Sequence, residues 1–74
     1  MEKLLKLLAD IRPDVDFAAE VSLVTDGILD SFDIVAVVSE INDTYGVSIG
    51  VVDLLPENFD SAEAIYNLIQ RHLK

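Results

Sequence analysis

Asp30-Ser31-Phe32-Asp33-Ile34-Val35-Ala36-Val37-Val38-Ser39-Glu40-Ile41-Asn42-Asp43-Thr44-Tyr45-Gly46 is the most regular stretch of the chain. Stepping 100° per residue from Ile34 brings Val37, Val38, Ile41 and Tyr45 within about 60° of it. Ala36, Ser39, Glu40 and Asp43 fall on the opposite side. The pattern predicts an amphipathic helix from Asp30 to Tyr45 with one apolar stripe to bury. Gly46 suits its end, because glycine adopts the left-handed conformation that closes a helix.

Two further helices are expected to cover that stripe. Glu2 to Ile11 places Leu4, Leu7, Leu8 and Ile11 on one face, and Pro13 ends it by pushing Arg12 out of helical geometry. Ser61 to Leu73 aligns Ala62, Ile65, Leu68, Ile69 and Leu73, with Arg71, His72 and Lys74 in the last turn, where cations suit the helix dipole. Pro13 to Leu29 is too apolar for a linker. It contains Val15, Phe17, Val21, Leu23, Val24, Ile28 and Leu29, and is expected to pack down onto the core with at most a turn of helix. Asp53-Leu54-Leu55 is expected to form one helical turn, limited by Pro56. No stretch alternates strongly enough for a sheet. The expected fold is all-α: one domain over residues 1–74, a four-helix bundle of three longer helices and one short third helix.

Composition narrows the function. The chain has 74 residues, 51% of them hydrophobic, which argues against disorder. It has no Cys, hence no disulfide and no thiolate metal site. Five bases against 14 acids give a net charge of −9, which disfavours nucleic acid as a partner. No apolar run is long enough to span a membrane. Met1-Glu2-Lys3-Leu4-Leu5 is too short and charged for a signal peptide, so a cytoplasmic monomer is expected. The bases lie at the ends: Lys3, Lys6, Arg12, Arg71 and Lys74. The 58 residues from Pro13 to Gln70 hold twelve acids and no base. Such a surface keeps a small apolar protein soluble, and it also suits basic partners.

Asp30-Ser31-Phe32-Asp33 and Asp60-Ser61-Ala62-Glu63 both read as helix starts, each with an Asp able to cap and an acid three residues later. They differ at Phe32, which lies about 160° from Ile34 and so points away from the core. Phe32, Ala36, Ser39 and Asp43, flanked by Glu40, form an outward stripe that suits a basic partner with an apolar pocket.

Gly27-Ile28-Leu29-Asp30-Ser31-Phe32-Asp33, followed by a Val-rich acidic helix, resembles the attachment site of acyl carrier proteins, whose motif is Asp-Ser-Leu with Phe as a variant. The resemblance extends over nearly the whole chain, through Tyr45-Gly46-Val47-Ser48-Ile49 and Asn58-Phe59-Asp60-Ser61-Ala62-Glu63-Ala64-Ile65. It implies a non-enzymatic carrier with 4′-phosphopantetheine on Ser31, Asp30 as the motif acid that a phosphopantetheinyl transferase recognises, and Mg²⁺ used only by that transferase. The arm's thiol would hold acyl or aminoacyl cargo as a thioester for enzymes of fatty acid biosynthesis, a polyketide route or a related pathway, or, as the alternative, serve as a D-alanyl or peptidyl carrier loaded by an adenylating ligase. The resemblance also implies docking of loading ligases or synthases through basic patches, with Phe32, Asp33, Glu40 and Asp43 as contacts. Two departures bear on cargo. Ala36 stands where fatty-acid carriers often have an acid, and Gly27 stands three residues before Asp30. Asp26-Gly27-Ile28-Leu29-Asp30-Ser31-Phe32 is closer to D-alanyl, peptidyl and polyketide-type free-standing carriers.

Other chemistries find less support. The one His, His72, is in the last helical turn, and no Lys adjoins the acids, so a Ser-His-Asp site is not indicated. The acids from Asp26 to Asp33 do not match a calcium loop. A helical interaction module without a prosthetic group remains the alternative that composition and periodicity alone leave open.

Overall fold

The computed structural model describes residues 1–73. Four helices follow one another: α1 (Glu2–Ile11), α2 (Ser31–Tyr45), α3 (Pro56–Phe59) and α4 (Ala62–Leu73). No strand occurs among the described residues. Leu4, Leu7 and Leu8 of α1, Val37 and Ile41 of α2, Phe59 of α3, and Ala62, Ile65, Leu68 and Ile69 of α4 meet in one core. Ile34, Val38 and Tyr45 of α2 are half-buried at its edge. Every buried residue is hydrophobic, and no polar or charged one is buried among the described residues. None of these helices is long and apolar enough to cross a membrane.

The segment between α1 and α2 contributes to that core as fully as a helix does. Phe17, Leu23 and Leu29 are buried, with Val15, Val24 and Ile28 packed beside them. Val21 departs from the expectation and is 75% exposed. Isolated helical turns shape the segment: Glu20 N–H donates to Asp16 O at 3.0 Å and Asp26 N–H to Ser22 O at 2.8 Å. Gly27, at φ 73°, supplies the left-handed residue that reverses the chain. Leu29 N–H can then donate to Leu23 O at 2.8 Å, which closes the loop just before Ser31.

Two expectations at the C-terminal half need correction. The helical turn placed at Asp53-Leu54-Leu55 forms earlier, as a 3₁₀ turn over Val51–Asp53. Pro56 does not limit a helix; it starts α3. Proline has no N–H to satisfy and its φ is already helical, so the first helical position suits it. The other correction is Asp60. It does not cap α4. Ser61 does, with its Oγ accepting from Ala64 N–H at 3.0 Å. Asp60 turns the other way, to the α1–α2 loop. Its Oδ1 accepts from Val24 and Thr25 N–H, each at 2.9 Å, and its Oδ2 from Thr25 Oγ at 2.7 Å. Leu23 N–H donates to Asp60 O at 2.8 Å. Four hydrogen bonds thus fasten the middle of the loop to the α3–α4 junction.

The α2–α3 connection is held similarly. Gly46, at φ 66°, ends α2, and the Asn42 side chain then pairs with the returning backbone. Asn42 Oδ1 accepts from Ile49 N–H at 2.9 Å and Nδ2 donates to Ile49 O at 3.3 Å. His72 was expected to fringe the last turn; its Nε2 lies 2.9 Å from Asp53 Oδ2 and ties α4 to the 3₁₀ turn. Leu73 is half-exposed and stands outside the core stripe. Lys74, expected in the last turn, lies outside the described residues.

Two tests follow from the loop. Leu23→Ala, which empties a fully buried site, should cost about 2–4 kcal/mol of unfolding free energy. Val21→Ala should stay within about 0.5 kcal/mol, as surface changes do. Urea titrations of both variants check the contrast. Asp60 gives a pH signature. The Thr25 backbone N–H, then the Thr25 hydroxyl, hold its carboxyl below the ordinary aspartate range. A carboxyl depressed in the folded state stabilises the fold above its unfolded pKa, about 3.9, and that stability is lost as pH falls through the lower folded value. Asp60→Asn should be less stable than the parent at pH 7, and the difference should shrink as pH drops below about 4. A constant difference across that range would refute the assignment.

Candidate functional site

The start of α2 is built by a reciprocal pair of aspartates. Asp30 Oδ1 accepts from Asp33 N–H at 2.9 Å, and Asp33 Oδ2 accepts from Asp30 N–H at 3.2 Å. Asp30 is extended, at φ −96° and ψ −176°, and the helix begins at the next residue, Ser31. Two backbone N–H groups that a helix start leaves unpaired are thereby satisfied. Ser31 sits between the two acids, exposed, at the first helical position. The box engages Asp30 and Asp33 through side chain and backbone, and the Ser31 hydroxyl takes no part in it.

The twin serine is placed differently. Ser61 is half-buried and its hydroxyl is committed to Ala64 N–H. The two helix starts, so alike in sequence, therefore offer one outward hydroxyl and one structural cap.

A third group completes the α2 start. Arg12 leaves α1 at φ −133° and ψ 82°, outside helical geometry as Pro13 requires. Its guanidinium then crosses to α2. Nη1 donates to Asp33 Oδ2 at 2.6 Å and to Ile28 O at 3.1 Å. Nε and Nη2 grip the two oxygens of Asp14 at 3.0 and 2.9 Å. The guanidinium, through its hydrogen bond, holds the Asp14 carboxyl below the usual range. Asp33 was expected to face partners; its carboxylate is instead turned to Arg12 and the Asp30 amide, and its side chain is only 17% exposed.

Sequence reading missed Arg12, and one signal pointed to it. A lone arginine pushed out of helix by a following proline, beside a chain otherwise rich in acids, is placed to bridge them.

Phe32 stands outward as expected and is 84% exposed. Val35 shares its exposure. Asp43 and Glu40 are exposed as well. Ala36, Ser39 and Glu40 line one wall of an open groove, whose other wall is Lys3, Lys6, Leu7, Asp10 and Ile11 of α1. The stripe on α2 is therefore bordered by lysines, which the chain order had placed at a distance. A second, smaller notch lies between α2 and α3. Val24, Ile34, Leu54, Leu55, Pro56 and Phe59 line it, and its volume is about 70 Å³. Among the described residues no cluster of three or more His and acidic side chains is placed to hold a metal ion.

A chain of this architecture, a four-helix bundle with a long ordered first loop, is matched by a family model. The model, described as a phosphopantetheine attachment site, covers residues 2–69. The chain belongs to that family. It is a carrier of the acyl carrier protein family, with no catalysis of its own, and the family bears 4′-phosphopantetheine covalently. Carrier domains of this kind meet transferases and loading or synthase enzymes. No individual curated protein matches the chain significantly. The residues present fit the group: the α2 start offers an outward hydroxyl beside helix N–H groups that favour a phosphate, and Arg12 offsets one of the two flanking acids.

The exposure of Phe32 gives a stability test. Phe32→Ala should leave the unfolding free energy from urea titration within about 0.5 kcal/mol of the parent, since little burial is lost. A cost of 3 kcal/mol or more, the range of buried aromatics, would contradict the outward placement.

Proposed function

We propose that Ser31 is the attachment residue and that the chain carries short acyl or aminoacyl groups for biosynthetic enzymes. The observation that carries the reading is the contrast between the two serines: Ser31 is exposed beside the reciprocal aspartates, whereas the Ser61 hydroxyl is held as a cap. The arm supplies a terminal thiol that holds the cargo as a thioester. Ser31 is a substrate hydroxyl for a transferase that uses coenzyme A and Mg²⁺: the serine oxygen forms a bond to the pantetheine-side phosphorus, the pyrophosphate P–O bond breaks, adenosine 3′,5′-bisphosphate leaves, and the hydroxyl proton passes to a base of the transferase. Asp30 is the motif acid that this transferase reads.

Partners dock on the outward side of α2. Phe32 is the apolar anchor, and Glu40 and Asp43 meet basic side chains at the rim. Asp33 takes part by fixing the helix start. The protein acts as a cytoplasmic monomer and the cargo is small. One feature supports a short cargo. The motif approach through Asp26-Gly27-Ile28-Leu29 resembles that of D-alanyl and peptidyl carriers more than that of fatty-acid carriers. Loading by an adenylating ligase fits this reading.

The test is a mass measurement. Incubation with a broad-specificity phosphopantetheinyl transferase, coenzyme A and Mg²⁺ should add one phosphopantetheine to the parent and to Ser61→Ala, and none to Ser31→Ala. No gain in the parent, or a gain that survives Ser31→Ala, would refute the assignment.

A further inference from the structure

We propose that Arg12 is a positioning residue for the modification of Ser31: it fixes Asp33, and through Asp33 the backbone on either side of the serine. The inference rests on Ser31 being the attachment residue and adds a residue from a different helix to that site.

The geometry runs in one chain of contacts. Asp14 grips the guanidinium through two donors, so the planar group has a fixed orientation. The remaining nitrogen points at α2 and divides its two hydrogens between Asp33 Oδ2 and Ile28 O. Asp33 Oδ2 is the same oxygen that accepts from the Asp30 N–H. Asp33 N–H in turn donates to Asp30. The residues on both sides of Ser31 are therefore tied to one guanidinium, and so is the loop carbonyl at Ile28, three residues before the serine. The contact with Asp33 is partly buried, with 29% and 17% of the two side chains exposed, so solvent screens it less than a surface pair.

Charge and shape both matter here. Asp30 and Asp33 would each oppose a phosphodiester on Ser31. Arg12 neutralises the second and leaves Asp30 as the acid available to a transferase. A lysine could keep the charge but not the fork. One ammonium cannot grip Asp14 through two parallel donors while also reaching Asp33 and Ile28 O. Loss of Arg12 frees Asp33 to rotate, which loosens the Asp30 amide and the loop that delivers Ser31. A misplaced nucleophile slows the chemical step, while the α2 face that a transferase grips remains intact. The expected signature is a change in kcat and little in KM.

The experiment uses the full chain as the varied substrate of a broad-specificity phosphopantetheinyl transferase, with coenzyme A and Mg²⁺. Arg12→Gln and Arg12→Lys should each lower kcat for Ser31 modification by about tenfold, with KM within about twofold of the parent. Amide exchange in the unmodified protein should quicken at Asp30 and Asp33, whose N–H groups the reciprocal pair holds, but not at Ile65 and Leu68 in α4. Should Arg12→Gln fail to fold, Asp14→Ala keeps Arg12 and removes only its orientation, and a smaller fall in kcat is expected. Parent-like kcat in Arg12→Gln, full rescue by Arg12→Lys, or a change in KM alone would overturn the inference while leaving Ser31 as the attachment residue. No modification of the parent would instead remove the Ser31 assignment, and the role of Arg12 with it.

Discussion

One carboxylate fastens the loop on which the rest of the site depends. Asp60 takes Val24 N–H, Thr25 N–H and the Thr25 hydroxyl, and its carbonyl takes Leu23 N–H. The loop needs such an anchor because it buries Phe17, Leu23 and Leu29 without helical hydrogen bonds to satisfy most of its backbone. With its middle fixed, the loop can turn at Gly27, close through Leu29, and deliver Asp30 to the start of α2 in an extended conformation. The second anchor, Arg12, holds Ile28 O from the far side. Ser31 thus inherits its placement from two ionised side chains that lie far from it in the chain.

The helices were legible in the sequence because their signal is local. Apolar spacing marks α1, α2 and α4, and Asp30 with Asp33 forms the reciprocal cap that their spacing implies. Phe32 could be placed outward from the same periodicity. Where two local signals competed, the reading failed. Pro56 can stop a helix or begin one, and only the burial of Phe59 three residues on favours the second. Asp60 and Ser61 can each cap, and the pull of loop amides 35 and 36 residues away decides between them. Nothing in a neighbouring-residue pattern carries that information.

Charge shows the same limit. Along the chain, the acids from Asp14 to Glu63 form a stretch free of any base. In space, Arg12 sits on Asp33, and Lys3 and Lys6 line the α1–α2 groove together with Glu40. The bases of the N-terminal end thus fold back onto the middle. The acidic surface of α2 is narrower than the linear map suggests: Glu40 and Asp43 are exposed, and so is Phe32 nearer the helix start.

The core has no polar member among its buried residues, and that bears on how the native arrangement is chosen. Aliphatic side chains pack nearly as well in several neighbouring registers, so an all-apolar interior specifies compactness better than uniqueness. Uniqueness must then come from the rim. Asp60 to the loop, Arg12 to α2, Asn42 to Ile49 and His72 to Asp53 each tie segments that the core alone would let slide. The result is an apolar interior inside a ring of directional contacts. The features that define the topology thus lie outside the part that supplies most of the burial.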